Sequence, residues 1–368
     1  MTGTLSHLID RIRAAHAAAV PLRIRGGGSK DFYGQMLQGE VLETRGLQGI
    51  LSYEPSELVV TVASGTRLAE LESALAGENQ FLAFEPPHFG AGATVGGMVA
   101  AGLSGPARVA AGGVRDYVLG VQMVNGKAEL LTFGGQVMKN VAGYDVSRLV
   151  TGSLGTLGLI TEVSLKVLPV PTAQASLRFE LDQARALRQL NLWAGKPLPI
   201  NASCWRIERG GPCLTLRLRG AMAAVQAACQ GLGGERLGAA EGDAQWGALR
   251  EQTLPFFVLE NHQCLWRLSV PDTAGVLDLA VPDDCVLFEW GGALRWVKAP
   301  AGQGAALRAA AEGAGGTATR FRSPAQSAGH PMPVFHPLRA PLDRIHRALK
   351  QQFDPAGIFN RGRMFAEF

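Results

Sequence analysis

The chain has 368 residues, 47% of them hydrophobic and 18% charged, the balance of a globular protein long enough for two cored domains. Its net charge of +4 is dispersed among acidic residues, which argues against the clustered basic face of a nucleic-acid binder. No apolar run approaches the ~18 residues of a membrane span. Near the amino terminus, "LSHLIDRIRAAHAAA" mixes charge through apolar positions instead of separating them as a signal peptide does, so the expected location is cytoplasmic. The five cysteines are odd in number and form no C-x-x-C pair. They read as buried, reduced thiols without a disulfide framework or a metal site.

In chain order, Leu5, Leu8, Ile9 and Ile12 share one helical face, and "VPLRIRGGGSK" reads as a short strand entering a glycine turn. "ELVVTVASG" is a second strand. A helix follows in "TRLAELESALA", with Thr66 as its expected cap and Leu68, Leu71 and Leu75 on one face. "VLGVQMVNGKAELLTF" is a hairpin whose Asn125-Gly126 pair suits a type I′ turn. "LGLITEVSLKVLP" alternates, with Leu159, Val163, Leu165 and Val167 on one side and Glu162, Ser164 and Lys166 on the other, until Pro169 and Pro171 stop it. The first domain boundary is placed there. From about Thr172 to Ala328 strands and helices are mixed without a compact motif or a sequence repeat. Near the end of the chain, Leu342, Ile345, Leu349 and Phe353 form a helical stripe that Asp354, Pro355 and Gly357 terminate.

Glycine is the outlier, with 47 residues in the chain and 16 between Pro86 and Gly158. Such density marks backbone that takes positive φ or approaches something closely. The dinucleotide fingerprint fails, because Gly90 and Gly92 are followed by Gly96, one residue late. A Walker lysine motif, H-E-x-x-H and G-x-S-x-G are missing too, which removes the usual support for P-loop, zincin and α/β-hydrolase chemistry. Three clusters remain. In "RIRGGGSK", successive N–H groups of Gly26, Gly27 and Gly28 can converge on phosphate oxygens with Arg25 or Lys30 beside them, although an exposed turn explains the stretch equally. In "PPHFGAGATVGGMVAAGLSGP", Thr94 caps a helix over Val95 to Ala101 whose first-turn glycines admit a flat ligand or a tight helix contact. In the third, Gly152, Gly155 and Gly158 permit close approach of a planar group or form an irregular strand entry.

Together the three clusters resemble the FAD-binding domain of the vanillyl-alcohol oxidase and p-cresol methylhydroxylase (PCMH-type) superfamily, over residues 1 to about 170. "RGGGSK" is similar to its pyrophosphate loop, "PPHFGAGATVGGMVAAGLSGP" to its second flavin loop, and "VMKNVAGYD" with "GSLGTLGLITEV" to its third signature. "FDPAGIFNRGRMF" is similar to the family's carboxy-terminal "FDP..I.NPGR". Within the superfamily the short length and "KNVAGYD" most resemble the small FAD-binding subunits of bacterial glycolate oxidases. The resemblance implies an α+β protein: a PCMH-type two-subdomain FAD-binding domain (1–171), a smaller α+β cap-like domain (172–328), and a segment (329–368) returning to the FAD domain. It implies FAD bound through Arg25, Gly26, Gly27, Gly28, Ser29 and Lys30 at the pyrophosphate. Pro87, Gly92, Thr94, Val95, Gly96, Gly97, Met98 and Gly105 would follow along the path, then Gly155, Gly158 and Ile160.

It also implies oxidation of glycolate, or a related 2-hydroxy acid, to glyoxylate. The partners would be a larger FAD-containing subunit and an iron–sulfur subunit, with peripheral membrane association through that complex. Two residues depart from the pattern: Leu154 stands where relatives often have Glu in "GSEGTLG", and Arg361 replaces the proline of "NPGR". No histidine lies between Leu22 and Gly34, where flavinylated relatives attach the cofactor, so noncovalent FAD is expected, with His88 structural. No catalytic residue is identified and no metal site is expected, since only His330 and His336 form a late histidine pair. Arg320 and Arg322 suit a carboxylate or a solvated edge strand equally. A self-sufficient hydroxy-acid or alcohol dehydrogenase and a scaffold with a vestigial flavin site remain open.

Overall fold

The structure, a computed structural model, describes residues 2–36, 38–135, 145–208, 210–324 and 332–367. Most of "VMKNVAGYD", together with His330, therefore lies outside the described residues. The chain groups into two compact units, one of Met1–Ser104, Gly113–Val170 and Pro337–Phe368, the other of Gly105–Gly112 and Pro171–His336.

The first unit opens with helix α1 (Thr2–Ala18), whose Leu8 and Ile12 are buried against Leu22 and Leu42. Those leucines belong to a parallel pair, β1 (Leu22–Arg25) and β2 (Glu40–Glu43). Next come β3 (Ile50–Glu54), β4 (Val59–Ala63), α2 (Leu68–Gly77), the short β5 (Gln80–Phe81) and α3 (Val95–Ala101). Helix α4 (Arg108–Ala111) falls in the stretch assigned to the second unit, and the chain then continues with α5 (Val114–Tyr117), β6 (Val118–Val124) and β7 (Leu130–Gly134). After α6 (Val146–Leu149), β8 (Leu159–Lys166) completes a five-stranded sheet of order β3-β4-β8-β6-β7, and β9 (Leu168–Pro169) pairs with β5. Along β8 and the residue after it the expected alternation is present: Leu159, Val163, Leu165 and Val167 are buried while Glu162, Ser164 and Lys166 are half-buried.

Two local expectations need correction. Thr66 does not cap α2: the N-cap is Arg67, without a side-chain bond. Thr66 is buried, and its hydroxyl accepts from the Gly49 N–H at 2.9 Å instead. The β6–β7 hairpin forms, but its last paired residues are Val124 and Leu130, so the loop is longer than a two-residue type I′ turn. Asn125 Oδ1 accepts from the N–H groups of Lys127 and Glu129, and Ala128 carries the positive φ. Gly126 is required for a different reason: a Cβ there would lie 2.4 Å from Asp354 Oδ1, and its N–H donates to the Phe353 carbonyl.

The second unit has a topology that repeats. Its elements are β10 (Ala173–Glu180), α7 (Gln183–Ala194), β11 (Ile200–Glu208), β12 (Gly211–Gly220), α8 (Met222–Leu232), β13 (Glu235–Arg236) and α9 (Ala239–Arg250), followed by β14 (Gln263–Ser269), β15 (Val286–Glu289), β16 (Leu294–Pro300), α10 (Gly304–Gly313) and β17 (Thr317–Arg322). One eight-stranded sheet runs β13-β10-β12-β11-β15-β16-β14-β17. Numbering the strands within each half gives 4-1-3-2 followed by 2-3-1-4, two ferredoxin-like βαββαβ arrangements joined edge to edge. In the second half residues 270–282 form a loop where α7 stands in the first. The join is antiparallel, with Trp205 of β11 opposite Phe288 of β15, their rings stacked at 5.1 Å and both fully buried. All five cysteines are free thiols, with Cys204, Cys213 and Cys264 buried. Burial pushes the Cys204 thiol up to about 12, where it stays protonated and inert.

The chain's final helix, α11 (Leu342–Phe353), returns to the first unit. Its apolar stripe is only partly covered, since Leu342 and Ile345 are exposed. The buried side chain of this helix is Lys350. Lys350 Nζ donates to the Thr156 and Phe359 carbonyls at 2.8 and 2.9 Å and to Asp354 Oδ2 at 2.6 Å. Asp354 in turn accepts from the N–H groups of Ile358 and Phe359, so every charge in this buried pair is satisfied. That pair fixes residues 358–360 beside β1: the Leu22 N–H donates to the Ile358 carbonyl and the Asn360 N–H to the Leu22 carbonyl.

Candidate functional site: a glycine-walled cleft in the first unit

β1 ends at Arg25 and delivers the chain into Gly26-Gly27-Gly28. These glycines are demanded first by packing against the second loop. A Cβ on Gly27 would lie 1.4 Å from the Gly92 carbonyl oxygen, and one on Gly26 would lie 2.4 Å from Thr94 Oγ1. Gly28 has φ +72°, a conformation glycine adopts without strain. Polar contacts complete the join. Lys30 Nζ donates to the His88 carbonyl at 3.1 Å and stands over the Phe89 ring. Arg25 Nε donates to Asp31 at 2.8 Å. His88 bonds Glu72 through Nε2 at 2.9 Å. Thr94 caps α3 as the sequence indicates, its hydroxyl accepting from the Gly97 N–H at 3.2 Å.

The third cluster crosses the C-terminal end of α3. The Gly152 N–H donates to the Val99 carbonyl and the Leu154 N–H to the Ala100 carbonyl, both at 2.9 Å. Leu154 has φ +51°, an uncommon conformation for a residue with a side chain, of the sort held where the surroundings over-determine it. Asn360 does part of that holding: its Nδ2 donates to the Leu154 carbonyl at 2.6 Å while its Oδ1 accepts from the Ile24 N–H at 2.8 Å. Asn360 thus ties the first cluster to the third. Arg363, three residues on and 5% exposed, closes the outer end. Its guanidinium donates to the carbonyls of Gln35, Lys30 and Asp31. Burial, with a smaller push from Arg23 and against the pull of Asp31, lowers the Arg363 guanidinium to about 10, which leaves it charged at neutral pH.

Between these walls lie two cavities that share Ile24, Gly26, Gly97, Ala100, Leu154 and Asn360 and so form one cleft. The outer part is lined by Arg25, Gly26, Gly27, Gly28, Ser29, Lys30, Asp31, Thr94 and Arg363. Its cations and glycine backbone suit a diphosphate. The inner part is lined by Thr44, Ser64, Gly96, Gly155, Gly158, Leu159 and Ile160, a narrower and more apolar surface. Ser64 Oγ is buried there without a hydrogen-bond partner among the described residues, the mark of a site that awaits a polar group.

Of the residues singled out in the sequence, Arg25, Gly26, Gly27, Gly28, Ser29, Lys30, Thr94, Gly96, Gly97, Gly155, Gly158 and Ile160 line the cleft. Others stand behind it. Val95 and Met98 are buried on the core side of α3, Pro87 is buried, and Gly92 backs Gly27. Gly105 belongs to the second unit, where its carbonyl accepts from the Trp290 indole N–H at 3.1 Å. Sequence reasoning missed Ser64, Leu154, Asn360 and Arg363 as lining residues. Asn360 and Arg363 are polar members of the "NRGR" segment, but so is Arg361, and nothing in the stretch alone separates the three. Arg361 of that segment is exposed and bonds only its own turn, through the Gly357 and Ala356 carbonyls, so the proline it replaces would occupy a surface position. His336 accepts from the Ala318 N–H and pairs with Glu312 at 3.0 Å. Arg320 and Arg322 do lie on an edge strand, β17, yet Arg320 is buried.

Residues 2–134 match a family model described as an FAD binding domain. The chain is 46% identical over 360 residues to glycolate oxidase subunit GlcE of Escherichia coli K12, covering 98% of this chain and 97% of that protein. It belongs to the GlcE family. The chain is therefore an FAD-binding oxidoreductase subunit, and FAD is its cofactor. Partial matches extend to a D-lactate dehydrogenase of Anaerostipes hadrus, 38% identical over 38% of this chain and 29% of that one. Glycolate oxidase subunit GlcD of Bacillus subtilis is 31% identical over 49% of this chain and 39% of its own length. Among solved structures, alkyldihydroxyacetonephosphate synthase superposes with a TM-score of 0.65 at 16% identity, over 96% of this chain and 73% of that one. That likeness confirms the PCMH-type α+β fold.

Proposed function

We propose that the cleft holds FAD in extended form, with the diphosphate against Gly26–Lys30 and Arg363 and the rest of the molecule running past Thr94, Gly96 and Gly97 toward Gly155, Gly158 and Ile160. The flavin, when bound, supplies the two-electron acceptor for oxidation of a CH–OH group. Within this reading Arg25, Lys30 and Arg363 place positive charge at the diphosphate, Ser64 Oγ supplies a hydrogen bond, and the walls at Leu154 and Ile160 exclude water. The cofactor is noncovalent, since the histidine of the second loop, His88, is engaged with Glu72.

The substrate is glycolate, oxidised to glyoxylate within a heteromeric assembly that contains a larger flavin subunit and an iron–sulfur subunit. The near full-length match to a glycolate oxidase subunit carries this reading. A further feature supports the need for partners: among the described residues lining the cleft there is no histidine, and its carboxylate, Asp31, is bound to Arg25. A hydroxyl proton thus lacks an evident base there. No helix among the described residues is long and apolar enough to cross a membrane.

The test is anaerobic addition of glycolate to the FAD-loaded chain, alone and then with the other subunits. The flavin spectrum is expected to stay oxidised in the isolated chain and turnover to appear on assembly. Bleaching at a catalytic rate in the isolated chain would overturn the partner requirement and favour a self-sufficient dehydrogenase.

A further inference from the structure

The face of the second unit's sheet that packs on α10 is mostly apolar. Cys264, Trp266, Leu268, Val297 and Ala318 form a buried cluster there with Leu307 of α10. Arg320 belongs to the same face, being two residues beyond Ala318 in β17 and the register partner of Trp266 in β14. It is 5% exposed. Its Nη2 donates to the Met332 carbonyl at 3.1 Å, but Nε and Nη1 have no acceptor among the described residues. Nearby, Arg308 of α10 gives Nη2 to the carbonyls of Pro333 and Phe335 and leaves Nε buried without a partner among the described residues. The indole N–H of Trp266 is buried and, among the described residues, unpartnered as well.

These four orphaned groups are all donors, and three of them belong to two cations, Arg320 and Arg308. Burial lowers both guanidinium pKa values, and for Arg308 the neighbouring charge of Arg320 lowers it further. Glu312 acts on Arg308 but is bound to His336, and among the described residues no carboxylate acts on Arg320. Buried charges are ordinarily paired, and a buried donor without an acceptor loses its hydration for nothing. Water can accept from such N–H groups but leaves the two charges unneutralised. An anion does both.

We propose that the second unit binds a small oxoanion, a carboxylate or inorganic phosphate, whose oxygens accept from Nε and Nη1 of Arg320, with Arg308 and the Trp266 indole as supporting donors. This site is separate from the flavin cleft, which is lined entirely by first-unit residues.

The test uses the full chain with FAD bound, titrated with sodium acetate, sodium phosphate or sodium chloride at equal ionic strength while Tm and tryptophan fluorescence are followed. A saturable response to acetate or to phosphate, absent with chloride, is expected, and the arm that responds assigns the anion. Arg320→Met is expected to abolish it and Arg308→Met to weaken it by about tenfold, as loss of one charge-assisted hydrogen bond implies. FAD content should be unchanged in both. No saturable response to either oxoanion, or an unaltered response in Arg320→Met, would overturn the proposal. If Arg320→Met does not fold, Arg308→Met and Trp266→Phe decide the matter, and wild-type affinity in both would equally overturn it.

Discussion

The two units record themselves in the sequence in opposite ways. The first is irregular, with a five-stranded sheet, two strand pairs and loops full of glycine, and the loops that wall its cleft were legible. The second is the more regular object, a doubled ferredoxin-like sheet, and it left no motif. The difference follows from what each kind of structure demands. A loop in which a Cβ would stand 1.4 Å from a neighbouring carbonyl oxygen, as at Gly27, accepts only glycine, so close approaches write a specific letter at a specific place. A sheet face asks only for apolar residues at alternate positions, which many sequences satisfy. The repeat is therefore visible in strand order and invisible in residue identity.

Because the units have separate cores, damage to each should separate stability from cofactor binding. The largest effects are expected from Lys350→Met and Trp205→Ala. Lys350→Met leaves the buried Asp354 carboxylate without its cation, a loss of about 3–5 kcal/mol. Trp205→Ala removes a stacked ring at the join of the two half-sheets, at a similar cost of about 3–5 kcal/mol. Chemical denaturation should show comparable losses, but only Lys350→Met should also release FAD, because Lys350 holds the Phe359 carbonyl one residue before Asn360. Equal loss of flavin from both variants would break the distinction between the units.

Arg363→Lys comes next. A lysine keeps the charge but cannot reach three carbonyls in a fixed plane, and loss of one or two charge-assisted hydrogen bonds at about 1.5–3 kcal/mol each should raise the Kd for FAD at least about tenfold, with little change in the second unit's melting. Thr94→Ala is expected to be milder. It removes the cap on α3, about 1 kcal/mol, and should weaken FAD binding several-fold, measured by flavin fluorescence quenching.

What was legible in the first unit was legible for more than one reason. The glycines of "RIRGGGSK" read as ligand-facing backbone, and they do line the cleft, but Gly27 is also fixed by Gly92 and Gly26 by Thr94. Substituting Gly27 would therefore disrupt loop packing whether or not FAD binds, and Arg363 is the cleaner probe. Gly126 read as a turn residue, whereas its constraint is a contact with Asp354, more than two hundred residues away in the chain. Asn360 and Arg363 escaped notice for the same reason: their work is to hold Ile24, Leu154 and the 30–35 loop, and partners so distant in sequence leave no local pattern. Arg320 and Arg322 read equally as carboxylate ligands or as a solvated edge strand; both do lie on the edge strand β17, but Arg320 is buried there, and two arginines in one short strand carry no sequence mark of which is covered.

The central claim is that the first unit's cleft holds a noncovalent FAD. The most direct test is the visible spectrum of the purified, FAD-reconstituted chain followed by acid precipitation and assay of the supernatant. One equivalent of FAD per chain, fully released by acid, is the expected result. A colourless chain after reconstitution, or flavin that stays with the precipitate, would contradict it.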